Sequence, residues 1–175
     1  RHKQGKQVTS STIRTAVVTG GLSGIGLACA KALREQGVRV AIGSRSGNDD
    51  EQQAAARTAI GGDIWIEHLD VRDEDSVRSF MTSVADTLGP VDILINSAGV
   101  SAHEMISSHG SASWDFVIDT NLSGPFRTIR ECLPAMMARG FGRIINIAST
   151  AARTATADHG AYCASKSGLV GLTRA

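Results

Sequence analysis

Apolar and polar positions along this 175-residue chain follow two alternating periods. Short β-branched or apolar runs at residues 16–18, 38–42, 64–69, 91–95 and 143–148 read as five strands. Between them, apolar residues recur at helical spacing over 27–36 and 74–88, the latter placing Val77, Phe80, Met81, Val84 and Leu88 on one face, and 50–60 reads as a polar, Ala-rich helix. Residues 113–137 read as one long helix or two abutting ones, with Pro125 and Pro134 marking irregularities. A final helix opens at Gly160. Strands alternating with helices predict an α/β fold: three layers, with a parallel sheet covered on both faces and joined by right-handed crossovers. In such a doubly wound sheet, ligands sit at the carboxyl ends of the strands, near the switch point between the first and fourth. Gly20, Arg45, Asp70, Asn96 and Ser149 all fall at strand ends.

The first strand runs into a glycine-rich turn, Gly20-Gly21-Leu22-Ser23-Gly24-Ile25-Gly26, and then a helix. A turn in that context is what a dinucleotide needs. Glycines let the backbone approach a pyrophosphate, and the helix N-terminus offers free N–H groups and a partial positive charge. The same stretch fits the glycine spacing of a nucleotide triphosphatase loop, but Leu27-Ala28 stands where Lys-Ser/Thr is required, which excludes that reading. At the tip of the second strand an acid would select NAD and an arginine NADP. The sequence there is Gly43-Ser44-Arg45-Ser46, with no acid before Asp49. Arg45, helped by the Ser44 hydroxyl, favours NADP(H) over NAD(H); a solvated loop arginine is the plain alternative.

Near the end of the chain, Tyr162 and Lys166 stand four residues apart and share a face of the last helix. A lysine ammonium beside a phenol favours the phenolate, which suits the pair to proton transfer. Composition adds little. Hydrophobic residues make up 42% and charged residues 20%, the formal net charge is +1, and no apolar run approaches a membrane span of ~18 residues. Neither nucleic acid nor membrane is indicated as a partner. Cys29, Cys132 and Cys163 form no C-x-x-C pair and fit reduced thiols in a cytoplasmic protein. His103, His109 and His159 lack ligand spacing, which favours surface roles over a metal site. Residues 1–14, basic and without an acid, read as a disordered tail ahead of one domain over 15–175.

With these motifs in hand, the chain resembles the short-chain dehydrogenase/reductase family across residues 15–174. Thr19-Gly20-Gly21-Leu22-Ser23-Gly24-Ile25-Gly26 matches the family's glycine motif, and Asp70 its adenine-side acid. Asn96-Ser97-Ala98-Gly99 matches its N-N-A-G, with Ser97 a departure at the second position. Asn121, Ser149, Tyr162 and Lys166 match its four active-site positions. The subgroup most similar by eye is the 3-oxoacyl-(acyl carrier protein) reductases, although sugar, steroid and small-carbonyl reductases share every motif named.

The resemblance implies a Rossmann-type fold and NADP(H)-dependent interconversion of a carbonyl and an alcohol, on a small molecule or on a substrate carried by acyl carrier protein. It implies Tyr162 as proton donor, Lys166 as tuner of that tyrosine and ribose ligand, and Ser149 as hydrogen-bond donor to the substrate oxygen. Asn121 would hold a water leading to Lys166. Cofactor contacts are implied for Gly20, Leu22, Ser23, Gly24, Ile25, Gly26, Ser44, Arg45, Asp70, Val71, Asn96, Ala98, Gly99, Tyr162 and Lys166. Family members are commonly homodimers or homotetramers and continue with a sixth strand, a substrate lid and a seventh strand. A chain ending at Ala175 is expected to bare the edge of its fifth strand, to associate, and to be weakly active. A catalytically idle nucleotide-binding scaffold is the alternative reading, against which the intact Ser149, Tyr162 and Lys166 weigh.

Overall fold

The computed structural model describes residues 13–154 and 157–175; the expectation for the basic tail falls on residues 1–14, of which 1–12 lie outside that range. Five parallel strands form one sheet: β1 (Thr15–Thr19), β2 (Arg39–Ser44), β3 (Trp65–His68), β4 (Ile93–Asn96) and β5 (Arg143–Asn146). Their spatial order is β3-β2-β1-β4-β5, so the chain reverses direction of travel between β1 and β4, as the pattern predicts. β3, β4 and β5 each start or stop one or two residues inside the apolar run that predicts them, whereas β1 extends one residue beyond its run at each end and β2 reaches two residues further, to Ser44.

The helices are α1 (Gly24–Glu35), α2 (Asp50–Ile60), α3 (Glu74–Leu88), α4 (Ser111–Ile118), α5 (Gly124–Arg139) and α6 (Gly160–Arg174). Neighbouring residues of β1 serve opposite faces of the sheet. Val17 packs with Leu69, Val77, Phe80, Val84, Leu94, Cys132 and Met136, largely from α3 and α5. Val18 packs with Ala30, Val40, Ile42, Ile60, Ile64 and Ile95 on the face that takes α1 and α2. All of these are buried, and two-sided burial explains why the strands read as continuous rather than alternating apolar runs.

The long helical stretch is resolved as two helices joined through a π-helical turn, Asp119–Ser123. Pro125 sits in the first turn of α5, directly after the π turn. Pro134 lies inside α5 on an exposed side. At the edge of the sheet, β5 pairs with β4 on one side, and Ile145 is 46% exposed.

The register sets the stage for the site. Gly43, Thr19, Asn96 and Asn146 lie opposite one another across four strands, so the four carboxyl ends finish in one row. The segments that follow those ends lie along one wall of the molecule.

Candidate active site

A cleft of about 520 Å³ opens at the carboxyl ends of the strands. Its first wall is the glycine turn. Gly20 has φ +65, a left-handed conformation, and a Cβ there would come within 2.8 Å of the Ala98 backbone. Gly26 lets α1 settle onto the turn: a Cβ at that position would run into the Gly20 carbonyl. Gly26 therefore shapes the cleft without lining it, whereas Gly20, Leu22, Ser23, Gly24 and Ile25 line it.

The N-terminus of α1 differs from those of α2 and α3. Asp49 caps α2 by accepting from the Gln52 N–H at 3.0 Å, and Asp73 caps α3 by accepting from the Asp75 and Ser76 N–H groups. Both helices also carry acids in their first turn. α1 has neither a side-chain cap nor an acid in its first turn. Its N–H groups and dipole are left to face the cleft, the arrangement that accepts a phosphate.

The second wall is built from the ends of β2 and β3. Ser44 and Arg45 both line the cleft. The Ser44 hydroxyl accepts from the Ser46 N–H at 3.3 Å, and the Arg45 guanidinium lies 5.7 Å from the centre of the Phe116 ring. Among the described residues Arg45 makes no ion pair, which leaves its charge to the cleft. Asp70 and Val71 also line it. The Asp70 carboxylate is gripped by Arg72 through two side-chain hydrogen bonds and a backbone one. Those bonds hold its carboxyl below the usual carboxylate range. Arg72 itself lines the cleft and lies 4.9 Å from the Phe116 ring centre. It went unnoticed in the sequence, although its place directly after Asp70-Val71 was a usable signal.

The third wall follows β4. Thr19 Oγ1 accepts from the N–H groups of Ser97 and Ala98, at 3.2 and 3.1 Å, which ties this loop to the end of β1. Ala98 and Gly99 line the cleft. Asn96 does not. Its side chain is buried, donates to Asn146 Oδ1 at 2.9 Å, and accepts from the Thr128 hydroxyl at 2.7 Å. It joins β4 to β5 and α5, so the direct cofactor contact expected of Asn96 gives way to a supporting position.

Asn121 sits in the π turn and is fully buried. Its Oδ1 accepts from the Val100 N–H at 2.8 Å, and its Nδ2 donates to the Val100 carbonyl at 2.8 Å and to Ser165 Oγ at 3.1 Å. Ser165 passes its own proton to the Tyr162 carbonyl at 2.8 Å. The extra residue of a π turn re-aims a side chain out of the regular helical row. With both amide protons committed, the side chain clamps the β4 loop to α6. Ser165 is a partner the sequence reading missed.

Tyr162 and Lys166 share one face of α6 and line the same cleft. Lys166 is 5% exposed, and its ammonium donates to the Ile147 carbonyl at 2.7 Å and lies 5.7 Å from the Tyr162 ring centre. Burial pushes its pKa down from the ordinary lysine value. Ser149 stands apart from the cleft wall. Its hydroxyl oxygen accepts from the Ala151 N–H at 3.1 Å, which caps the short turn Thr150–Ala152 and leaves the hydroxyl proton free to be donated.

A match to the family model for short chain dehydrogenases spans residues 14–175. The chain belongs to the short-chain dehydrogenase family. It is 42% identical over 170 residues to a Streptomyces virginiae protein named "Monensin polyketide synthase putative ketoacyl reductase", covering 96% of this chain and 65% of that one. It is 38% identical over 163 residues to a D-beta-hydroxybutyrate dehydrogenase of Rhizobium meliloti, covering 92% of this chain and 63% of the relative. Among solved structures, an actinorhodin polyketide ketoreductase variant with NADPH superposes with a TM-score of 0.87 at 36% identity, over 93% of this chain and 63% of that one. A metagenomic short-chain oxidoreductase in complex with NADP gives 0.85 at 38% identity, over 92% and 73%. This short-chain dehydrogenase chain thus spans somewhat less than two thirds of the length of these two curated relatives.

Proposed function

We propose that this protein is an NADP(H)-dependent oxidoreductase that interconverts a carbonyl and a secondary alcohol. One observation carries the reading. The proton-transfer pair Tyr162–Lys166 lies on the wall of the same cleft as the glycine turn, the uncapped end of α1 and Arg45. The donor set fits the cofactor: N–H groups for a pyrophosphate, an unpaired guanidinium for a 2′-phosphate, and an ammonium near the far end for ribose hydroxyls. When bound, the nicotinamide supplies or accepts the hydride.

The chain's own residues do the rest. Tyr162 gives its phenolic proton to the carbonyl oxygen as negative charge develops there, or removes it in the reverse direction. Lys166, held by the Ile147 carbonyl, places a cation beside that phenol and steadies the phenolate it leaves. Ser149 donates a hydrogen bond to the same oxygen once substrate brings it within reach, and keeps its proton. Asn121 and Ser165 hold the β4 loop and the head of α6 in fixed relation, so that donor and cofactor floor stay aligned. Because the relatives include ketoacyl reductases, we assign a 3-oxoacyl thioester, carried on acyl carrier protein or a mimic of it, as the substrate class.

The test is NADPH consumption by the purified protein with acetoacetyl thioesters, keto-sugars and quinones, and the reverse reaction with 3-hydroxybutyrate and either dinucleotide. Thioester-dependent NADPH oxidation that disappears in Tyr162→Phe supports the full reading. Faster turnover of free 3-hydroxybutyrate with NAD would replace both the substrate and the cofactor assignment.

A further inference from the structure

Beside the cleft, outside the groups just used, two segments distant in the sequence bring three ligating side chains together. His103 lies in the loop that follows β4, and Asp158 and His159 lie just before α6. Asp158 Oδ1 is 2.7 Å from His159 Nδ1, and Asp158 Oδ2 is 3.5 Å from His103 Nδ1. One ligand atom from each of the three residues falls within 4.8 Å of the others. The two imidazole rings meet edge to face with centres 4.0 Å apart. Among the described residues, no second set of three such side chains is so arranged.

We propose that His103, Asp158 and His159 form a site for a divalent transition metal of the zinc class. Two imidazoles and one carboxylate are borderline ligands, which suit Zn²⁺, Co²⁺, Ni²⁺ or Cu²⁺ rather than the all-oxygen shells of Mg²⁺ or Ca²⁺. Ligands at about 2.0–2.2 Å from a tetrahedral centre stand about 3.4 Å from one another. Taken one per residue, the ligand atoms already lie within 4.8 Å of one another, so side-chain rotation would have to draw them in toward that spacing.

The backbone that presents the ligands is itself held. Glu104 forms a parallel bridge with His159, and its N–H donates to the Asp158 carbonyl at 2.9 Å. The Glu104 carboxylate in turn accepts from the Gly110 N–H at 3.1 Å and from the Ser113 hydroxyl. This outer set orients the site without spending a metal ligand. Access is open, since the side chain of His103 is 64% exposed and that of Asp158 42%. The remaining positions on the metal would be filled by water.

A bound ion would join the β4 loop to the head of α6 at His159, whose ring centre lies 6.3 Å from that of Tyr162. The site thus adds a removable tie between the two segments that Asn121 already links deeper in the fold. Metal binding itself does not depend on the proposed reaction, so it is tested without turnover.

The probe is Co²⁺ alone, titrated into apo protein in a non-chelating buffer and followed by visible absorption and calorimetry. One equivalent should bind with the intense visible bands of a four- or five-coordinate site, and Zn²⁺ should displace it and raise Tm. His103→Ala, on an exposed side chain, and Asp158→Asn, which keeps the shape, should each weaken binding at least ~10-fold. His68→Ala, an exposed histidine elsewhere, should leave it unchanged. Absence of Co²⁺ binding in the unsubstituted protein would overturn the proposal and leave a hydrogen-bonded His–Asp–His contact. So would wild-type affinity in His103→Ala, or equal loss in His68→Ala.

Discussion

The two ends of the cleft are built in different ways. The end formed by β1, α1 and β2 is shaped by main chain. Glycines remove side chains, a helix terminus is left uncapped, and apolar packing by Val18, Ala30 and Ile42 holds the frame. The end formed by β4, α5, β5 and α6 is shaped by buried polar side chains. Asn96 reaches Asn146 and Thr128, Asn121 reaches Val100 and Ser165, and Lys166 reaches the Ile147 carbonyl. A nucleotide's phosphates need close approach and N–H groups, which backbone supplies. Proton transfer needs one donor held in one place, which takes side chains that cannot relax. The cost is that each buried amide at the second end depends on partners from another part of the chain.

The sharpest way to separate the two ends is Tyr162→Phe. The ring keeps its packing while the proton is lost, so kcat and kcat/KM should both fall by ~10²–10⁴-fold, with NADPH affinity nearly unchanged. Steady-state kinetics and fluorescence titration check this, and normal turnover would remove Tyr162 from the reaction. The counterpart at the first end is Arg45→Ala. A charge-assisted contact to phosphate is worth about 1.5–3 kcal/mol, so NADPH binding should weaken on the order of 10- to 100-fold. NADH binding should hardly move. Equal loss for both dinucleotides would mean that Arg45 supports the wall rather than reads a phosphate.

Stability should divide along the same line. Asn121→Leu leaves the Val100 N–H and carbonyl and the Ser165 hydroxyl short of partners, at a cost of about 1–3 kcal/mol in urea unfolding. A smaller, pH-dependent effect distinguishes Asp70, paired with Arg72, from the buried Lys166. Asp70 has a folded pKa below its ordinary 3.8 because of Arg72. Its contribution is therefore complete above 3.8 and is lost as pH falls through the folded value. Lys166 has a folded pKa below its ordinary 10.5 because of burial. Its cost is borne at neutral pH and relieved as pH rises from the folded value toward 10.5, so stability should climb there. Unfolding midpoints across pH for Arg72→Met and Lys166→Met should flatten the acid and the alkaline limb respectively. The least effect is chemical: burial pushes the Cys132 thiol up to about 12, so a thiol reagent should modify Cys29 and Cys163 well before it.

Much of this molecule was legible from local pattern. The bounds of α2 and α3 follow from an acid cap, apolar residues at helical spacing and a following glycine, all within one stretch of chain. The glycine turn was legible because the context it needs, a strand before and a helix after, is also local. Only tertiary structure could decide the π turn, since its extra residue repays its strain through bonds to Val100 and Ser165. It alone moved Asn96 out of the cleft and into the sheet, because the strand register sets it opposite Asn146. The meeting of His103 with Asp158 and His159 belongs there too, for the bridge between Glu104 and His159 joins segments that no spacing rule connects. Periodicity and turn chemistry are properties of neighbours in the chain, and so the sequence by itself determined the strands, helices, sheet class and nucleotide turn. Hydrogen-bond partners are properties of neighbours in space, and those the fold had to supply.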